Sequence, residues 1–490
     1  MPAGPRLVFE PFELDPARRR LTAFGEPVAI SERQLDVLLL LVARAGQIVS
    51  KDDLLQAGWK DVAVGDNSVE QAISSLRRLL GSHPGTWIET VPRRGYRFGV
   101  AVSRMAPRES DAGLDGLLAP HRAFIEGRAA LETFERDRVA RAREVFADVL
   151  RGAPEYASGH IGLANACVMQ FEMTRADPAP DTAALALAAH HAREACRLDP
   201  QSGEAWATLG FVLDRNGEPL DARAAATRAV TLEPDNWRHR FRLSYVSWGD
   251  ERLRAAHQTL TLLPGFALAH WLAATVHVAR QALGEAEREL VAGLAPRSGQ
   301  PQVGEIRGAR FSAVALHWLL GLIYLARGDE ARALEEFERE LSDANAGQLY
   351  ARECAANTWY AIGALRLRQG RPDDARTAFA RAIDRVAAHP MALLGLVASG
   401  SLDLVTTPAG DLVSGQPGRR TSSVDAAVLQ AAQLVVAGAH SEAARILDEA
   451  LAGAPAGNAA WLLPIEPMLQ VTARPDIWAR TLARLRNRAA

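Results

Sequence analysis

The chain has 490 residues, of which 48% are hydrophobic and 23% are charged. These shares are ordinary for a folded soluble protein and exclude a disordered chain, while the length exceeds what one core usually holds, so several domains, or a domain and a repeat array, are expected. The formal net charge of −2 says nothing by itself about nucleic acid, so the distribution of charge along the chain is more informative.

The first hundred residues alternate between strand and helix patterns. Two strand-like segments, at 7–14 and 19–24, precede three short helical patterns, and an alternating pattern at 87–100 predicts a closing β-hairpin. Each helix has a polar start signal, and the third stops at Gly81. Strands, three helices and a hairpin together predict a small α+β winged helix-turn-helix domain. The start signals are Ser31 with Gln34, Ser50, and Asn67 with Glu70.

The third helix, predicted from residue 67 to residue 80, has two distinct faces. Apolar residues fall on one side at helical spacing, and amides, hydroxyls and arginine fall on the other. Such a polar face suits the DNA major groove, where these groups pair with base edges and phosphates. Taken alone, however, the pattern fits a solvated helix face better. The candidate DNA-contacting residues on this helix are Asn67, Ser68, Gln71, Ser74, Ser75, Arg77 and Arg78.

The hairpin strengthens the DNA-binding interpretation. Its turn carries Arg93 and Arg94 before Gly95, and arginines at such a tip could enter a minor groove, whose narrow width concentrates negative potential. Tyr96 is expected either to support the tip or to contact phosphate. Between residues 67 and 104 there are six arginines and two acidic residues, so a basic patch lies within a nearly neutral chain.

These segments resemble the DNA-binding domain of the OmpR/PhoB-type bacterial transcription regulators, and the ETVPRRGYRF ending resembles the CadC/HilA-like branch. The resemblance implies a domain at 1–103, with the third helix in the major groove and the Arg93–Arg94 wing in the minor groove. It also implies tandem-repeat DNA sites and contact with RNA polymerase. No receiver domain precedes the winged helix and no membrane helix follows it, so control by aspartyl phosphorylation and membrane anchoring are not expected.

After a polar linker at 104–119, Ala-rich helical periodicity replaces the strand patterns. Pro200 and Pro234 are 34 residues apart, and large and small residues between them recur at tetratricopeptide spacing. Residues 120–485 therefore resemble a divergent tetratricopeptide-repeat (TPR) array, an all-α solenoid of roughly seven or eight repeats. Irregular stretches are an insertion at 173–182 and a loop at 399–423, which could be a lid, a partner site or disordered chain. The marker residues of three repeats are Trp206, Leu209, Gly210, Leu213, Ala222 and Ala229; His317, Leu320, Gly321, Tyr324, Ala333 and Phe337; and Trp359, Ile362, Gly363, Ala375, Phe379 and Ala382.

No catalytic or metal-binding motif is present in the sequence. Neither lysine, Lys51 or Lys60, follows a glycine, which excludes a Gly-Lys-Ser/Thr phosphate loop, and the HExxH, CxxC and GxSxG patterns are absent. The three cysteines are far apart and odd in number, which predicts buried thiols in a reducing compartment rather than disulfides. With no secretory signal pattern, the chain is expected to be cytoplasmic, without a metal or cofactor. The cysteines are Cys167, Cys196 and Cys354.

The sequence thus favours a cytoplasmic, one-component transcription regulator that binds double-stranded promoter DNA. The array would sense a ligand or dock another protein, and a homodimer is one arrangement left open. Two other hypotheses remain. In the first, the chain is a TPR scaffold or adaptor whose winged helix serves protein interaction; in the second, it is an enzyme with an unrecognised cleft in the array.

Overall fold

The computed structural model divides the chain into two compact units, Met1–Ala119 and Pro120–Ala490. The first is an α+β winged helix and the second is an all-α repeat array, as predicted. The structure describes residues 6–16, 19–58, 67–81, 87–92, 94–105, 122, 125–131, 135–295, 314–342, 348–400 and 423–490.

The strands of the first unit form two antiparallel sheets. The five-stranded sheet has the order β4-β3-β2-β1-β8, and the three-stranded sheet has the order β5-β7-β6. The last strand pairs with the first, with Arg6 opposite Met105 and Val8 opposite Ser103, so the sheet continues past residue 103 into the segment predicted to be linker. The strands are β1 Arg6–Phe9, β2 Phe12–Asp15, β3 Arg20–Ala23, β4 Glu26–Pro27, β5 Ile48–Val49, β6 Ile88–Val91, β7 Gly95–Phe98 and β8 Ser103–Met105.

Three helices lie between β4 and β6 in the sequence, with β5 between the first two: α1 Glu32–Ala43, α2 Lys51–Gly58 and α3 Asn67–Leu80. The predicted caps of the first two are present. Ser31 and Gln34 form the reciprocal capping box, and the Ser50 hydroxyl accepts a hydrogen bond from the Asp53 amide at 3.1 Å. The third helix ends at Gly81, whose φ of +72° is a conformation that glycine adopts without strain.

Aromatic rings connect the leading sheet to the hairpin. The Phe9 ring lies 5.2 Å from Phe98 and 5.8 Å from Trp87, and the Phe12 ring lies 5.5 Å from Trp87, all in edge-to-face geometry. Edge-to-face pairs add a directional preference to the burial of apolar area. The orientation of the hairpin is therefore set by the same core that holds the first two strands.

The second unit is built from consecutive antiparallel helices. Among its described residues no helix is long and apolar enough to cross a membrane. The last helix ends at Arg488, so the predicted boundary at 485 falls inside it, and most of the predicted 399–423 loop lies outside the described residues. The helices are α4 Arg136–Gly152, α5 Ala157–Thr174, α6 Thr182–Leu198, α7 Gly203–Arg215, α8 Pro219–Leu232, α9 Trp237–Val246, α10 Gly249–Leu262, α11 Ala267–Ala279, α12 Leu283–Leu294, α13 Leu316–Ala326, α14 Glu330–Glu340, α15 Ala351–Arg368, α16 Pro372–Arg385, α17 Pro390–Ala398, α18 Ser423–Val436, α19 His440–Gly453 and α20 Pro475–Arg488.

Glycines at the predicted small positions allow paired helices to cross closely. A Cβ on Gly210 would lie 2.8 Å from the Ala222 carbonyl oxygen, and a Cβ on Gly363 would lie 2.5 Å from the Phe379 ring. Gly321 meets the Phe337 ring in the same way. The recurrence of small residues in the sequence is thus explained by backbone or ring contacts that leave no room for a side chain. The three cysteines are buried and unbridged, as predicted.

The predicted insertion at 173–182 holds two distant parts of the array together. Arg175 forms an ion pair with Glu353 at 2.7 Å, and Arg352 pairs with Asp177. Beside them the carboxylate of Glu172, at the end of α5, has no solvent exposure and accepts a hydrogen bond from the Tyr350 hydroxyl at 3.0 Å. We call these contacts between residues 172–177 and residues 350–353 the clasp.

Glu172 is expected to be important for the stability of the array, because Arg175 and Arg215 both share its buried carboxylate. Glu172→Ala should lower the free energy of unfolding by about 3 kcal/mol, since it removes a fully buried carboxylate that bonds Arg175, Arg215 and the Tyr350 hydroxyl together. Chemical unfolding followed by circular dichroism measures the change. Glu194→Ala is the control, because Glu194 pairs with Arg197 at the surface and its loss should change the free energy of unfolding far less. Equal losses in the two variants would contradict the structural role of Glu172.

Candidate nucleic-acid interface

Helix α3 presents its apolar residues to the core and its polar residues to solvent. Val69, Ile73 and Leu76 are at most 1% exposed, whereas Gln71, Ser74 and Arg78 are exposed and Ser68 and Ser75 are half-buried. The helix begins at Asn67 as predicted, but the side chain of Asn67 lies outside the described residues. The two faces thus separate as the sequence pattern predicts, and the candidate residues on the outer face remain predictions as DNA contacts.

An ion pair across the helix-turn-helix connects α2 to α3. The Lys51 ammonium lies 2.8 Å from the Glu70 carboxylate, and both side chains are partly exposed. Sequence analysis assigned Glu70 only a role at the start of the helix. The pair orients α3 on α2, although an exposed pair of this kind contributes at most about 1 kcal/mol.

The guanidinium of Arg77 is bonded to the hairpin. Its Nε and Nη2 atoms donate to the Ile88 carbonyl oxygen at 3.0 and 2.7 Å, and Nη2 also donates to the Thr90 hydroxyl at 2.9 Å. These bonds tie α3 to strand β6, and the predicted contact between Arg77 and DNA stays a prediction. The residue therefore sets the position of the hairpin relative to α3, a role that could not be inferred without the tertiary structure.

Gly95, the first residue of β7, lies in close contact with strand β5. Strand β7 pairs with β6 on one side and with β5 on the other. Gly95 has a φ of +129°, and a Cβ there would lie 2.1 Å from the carbonyl oxygen of Val49. Only glycine allows this close approach of two backbones, which explains its place after the two arginines.

The turn itself exposes Arg94, whose amide donates to the Val91 carbonyl oxygen at 3.0 Å. Arg93 lies outside the described residues. Tyr96 is only 6% exposed, because its ring belongs to the core of the domain. This burial fits the predicted supporting role, and the alternative, a contact with phosphate, stays a prediction.

Positive charge on this surface is partly neutralised within the domain. Arg97 pairs with Glu89, its cross-strand neighbour. Within the described residues, the guanidinium groups of Arg78 and Arg94 have neither an ion pair nor a hydrogen bond. These two cations are available to an external anion, and each comes from a different element of the surface.

The leading sheet, three helices and hairpin define a winged-helix domain.

Comparison with known proteins identifies the family of this domain. Residues 25–98 match the family described as "Transcriptional regulatory protein, C terminal", and residues 360–398 match "Tetratricopeptide repeat". The N-terminal unit thus carries a DNA-binding domain of the OmpR/PhoB type, and the same chain carries a tetratricopeptide-repeat match.

The relatives are bacterial transcription regulators. The chain is 30% identical to the cholera toxin homolog transcriptional activator of Vibrio parahaemolyticus, over 22% of this chain and 39% of that one. It is 36% identical to the transcriptional regulator HilA of Salmonella typhimurium, over 21% of this chain and 19% of HilA. It is 29% identical to the transcriptional activator CadC of Escherichia coli, over 20% of this chain and 19% of CadC. The match thus spans less than half the length of these curated relatives.

Two solved DNA-binding domains are also similar. One is that of E. coli CadC, at 28% identity over 21% of this chain and 98% of that chain, with a TM-score of 0.20. The other is that of Klebsiella pneumoniae RstA in complex with the RstA box, at 37% identity over 19% and 96%, with a TM-score of 0.18.

The close approach at Gly95 generates a prediction. Gly95→Ala should destabilise the N-terminal unit by about 3 kcal/mol, because it adds a steric clash to an unfavourable φ. Gly25→Ala is the matched control, since Gly25 also has a positive φ, +86°, but nothing within 4 Å of its Cβ position, and it should cost about 1 kcal/mol. Hydrogen exchange of the β7 amides in the full chain measures the Gly95 effect, and unfolding of the same unit measures the control. If Gly95→Ala and Gly25→Ala lose the same stability, the close contact with the Val49 carbonyl oxygen adds no cost of its own.

The bonds of Arg77 generate a second prediction. Arg77→Ala should weaken DNA binding while leaving the dependence of the binding constant on salt unchanged, because the guanidinium bonds the hairpin and not a phosphate. Fluorescence anisotropy with a mixed-sequence duplex at several salt concentrations tests this. A decrease of about 0.9 in the log–log salt slope would instead identify Arg77 as a phosphate contact.

Proposed function

We propose that this chain is a sequence-specific transcriptional regulator in which α3 enters the major groove of promoter DNA. The observation that carries the proposal is the polar face of α3, where Gln71, Ser74 and Arg78 are exposed beside the hairpin. Amide and guanidinium groups form paired hydrogen bonds with base edges, and a hydroxyl can bond bases or phosphates. Asn67, Ser68 and Ser75 flank this face and complete the proposed base-reading and phosphate-binding surface.

The hairpin turn is proposed to reach the adjacent minor groove through Arg93 and Arg94. The free guanidinium of Arg94 is on the hairpin turn, whereas that of Arg78 is on α3, and cations on two different elements suit a protein that contacts two grooves. Tandem DNA sites, RNA polymerase contact and a homodimer are proposed only from the family resemblance. The array is proposed to sense a ligand or to dock a protein partner.

Salt-dependent DNA binding tests the regulator hypothesis. Arg78→Ala and Arg94→Ala should each lower the log–log salt slope on a mixed-sequence duplex by about 0.9, because each loses one phosphate-type contact. Arg104→Ala, which removes the same charge from the five-stranded sheet, is the control and should leave the slope unchanged. A wild-type chain that binds no duplex, or binds without salt dependence, would favour the scaffold hypothesis.

Sequence specificity needs a separate measurement. Selection from a random duplex library with the wild-type chain should enrich one motif, and Gln71→Ala should relax one position of that motif at a cost of about 1–3 kcal/mol for the preferred base. Arg94→Ala should leave the motif unchanged unless its minor-groove contact depends on width. Enrichment of no motif would contradict specific recognition by α3.

A further inference from the structure

The array contains a cavity of about 550 Å³ inside the second unit. Its lining comes from helices that are distant in sequence, from α5 to α18, and it lies beside the clasp, whose residues Arg175, Tyr350 and Glu353 are part of the wall. A volume of this size is within the range of sites for small organic ligands. The cavity therefore has the dimensions of a binding site for a molecule of drug-like size.

Aromatic side chains dominate the wall. They include Phe211, Tyr245, Trp271, Trp318 and Tyr350. Trp318 is only 8% exposed, and Trp271 and Trp318 both line the cavity. Rigid rings at several angles favour a ligand with an apolar, and preferably ring-containing, body.

One cation in the wall, Arg242, has no ion pair with any described residue. Arg242, on α9, places its guanidinium 4.0 Å from the centre of the Phe211 ring and donates one hydrogen bond to Asn165 Oδ1 at 3.2 Å. Within the described part of the chain it forms no ion pair. Burial lowers the pKa of Arg242 to about 10, and the neighbouring Arg215 acts in the same direction.

The carboxylates near Arg242 are already engaged. Glu353 pairs with Arg175, and Glu172 is shared by Arg175, Arg215 and Tyr350. Asp214 pairs with Arg215 at 2.6 Å. These carboxylates are thus bonded to other groups, and among the described residues the half-buried guanidinium of Arg242 has no ion pair of its own, an arrangement that is costly unless an anion binds there.

We propose that the cavity binds a small organic anion whose single carboxylate-like or sulfonate-like group pairs with Arg242 while its apolar body packs among the aromatic rings. A planar guanidinium suits such a group because it can donate two parallel hydrogen bonds. Glu466 also lines the cavity, so a second negative charge on the ligand beside it would be repelled. Binding itself does not depend on the proposed DNA function; only the use of the ligand as a transcriptional signal rests on it.

Two fluorescent probes with the same ring framework test the proposal. They are 1-anilinonaphthalene-8-sulfonate, which carries one negative charge, and N-phenyl-1-naphthylamine, which lacks the sulfonate. With the full chain and no DNA present, the anionic probe should bind at one site with a Kd about tenfold lower than that of the neutral probe, because a hydrogen-bonded charge is worth more than one tenfold step.

Arg242→Gln should weaken the anionic probe about tenfold and change the neutral probe by less than about threefold. Arg240→Gln is the control on the same helix, because the Arg240 guanidinium bonds the Pro234 carbonyl oxygen and Gln258 and does not line the cavity. It should leave both probes unchanged. Arg242→Lys keeps the charge but loses the planar fork, so it should weaken the anionic probe less than Arg242→Gln does.

Trp318→Ala should weaken both probes, which places them in this cavity. If Arg242→Gln does not fold, as judged by its thermal transition, the wild-type preference, Trp318→Ala and Arg242→Lys still decide the question. The proposal is overturned if the wild type binds both probes equally, or if Arg242→Gln or Arg242→Lys weakens them to the same extent. Failure of DNA binding with intact probe binding would overturn the regulator hypothesis and leave this site standing.

Discussion

The close contact between Gly95 and the Val49 carbonyl is the constraint on which the DNA-binding surface depends. It lets β7 pair with β5 and β6 at once, and so joins the hairpin to the segment between α1 and α2. The aromatic core around Phe9 and Trp87 then holds the hairpin against the leading sheet. Arg77 completes the arrangement by bonding α3 to β6. Helix α3 and the hairpin thereby acquire a fixed relation, which the proposed contact with two adjacent grooves requires.

This arrangement divides the arginines of the domain between two tasks. Arg77 and Arg97 bond groups within the protein, and Arg78 and Arg94 remain available. A basic patch counted from sequence therefore overstates the charge that can meet a phosphate. The distinction matters because the electrostatic part of DNA affinity scales with phosphates neutralised, not with the number of arginines nearby.

The array uses a different physical device, the repeated close crossing of helices at glycine and alanine. Because each helix pair contacts mainly its neighbours, a solenoid alone would leave an open groove. The clasp between residues 172–177 and 350–353 adds contacts between distant repeats, and the cavity with the unpaired Arg242 lies beside it. An irregular insertion in the repeat pattern is thus the segment that shapes the candidate ligand site.

Local sequence pattern determined much of this protein: the winged-helix order of elements, the caps at Ser31 and Ser50, the two faces of α3, and the repeat glycines at Gly210, Gly321 and Gly363. Each of these depends on residues close together in the chain, where helical period and backbone sterics act directly. Only the tertiary structure decided the continuation of the sheet to Met105, the burial of Tyr96, the bond from Arg77 to the hairpin and the isolation of Arg242. In each case the partner, or the absence of one within the described residues, depends on segments that meet only after folding. The type of a side chain does not by itself predict which residue, distant in the sequence, will form its hydrogen bond or ion pair.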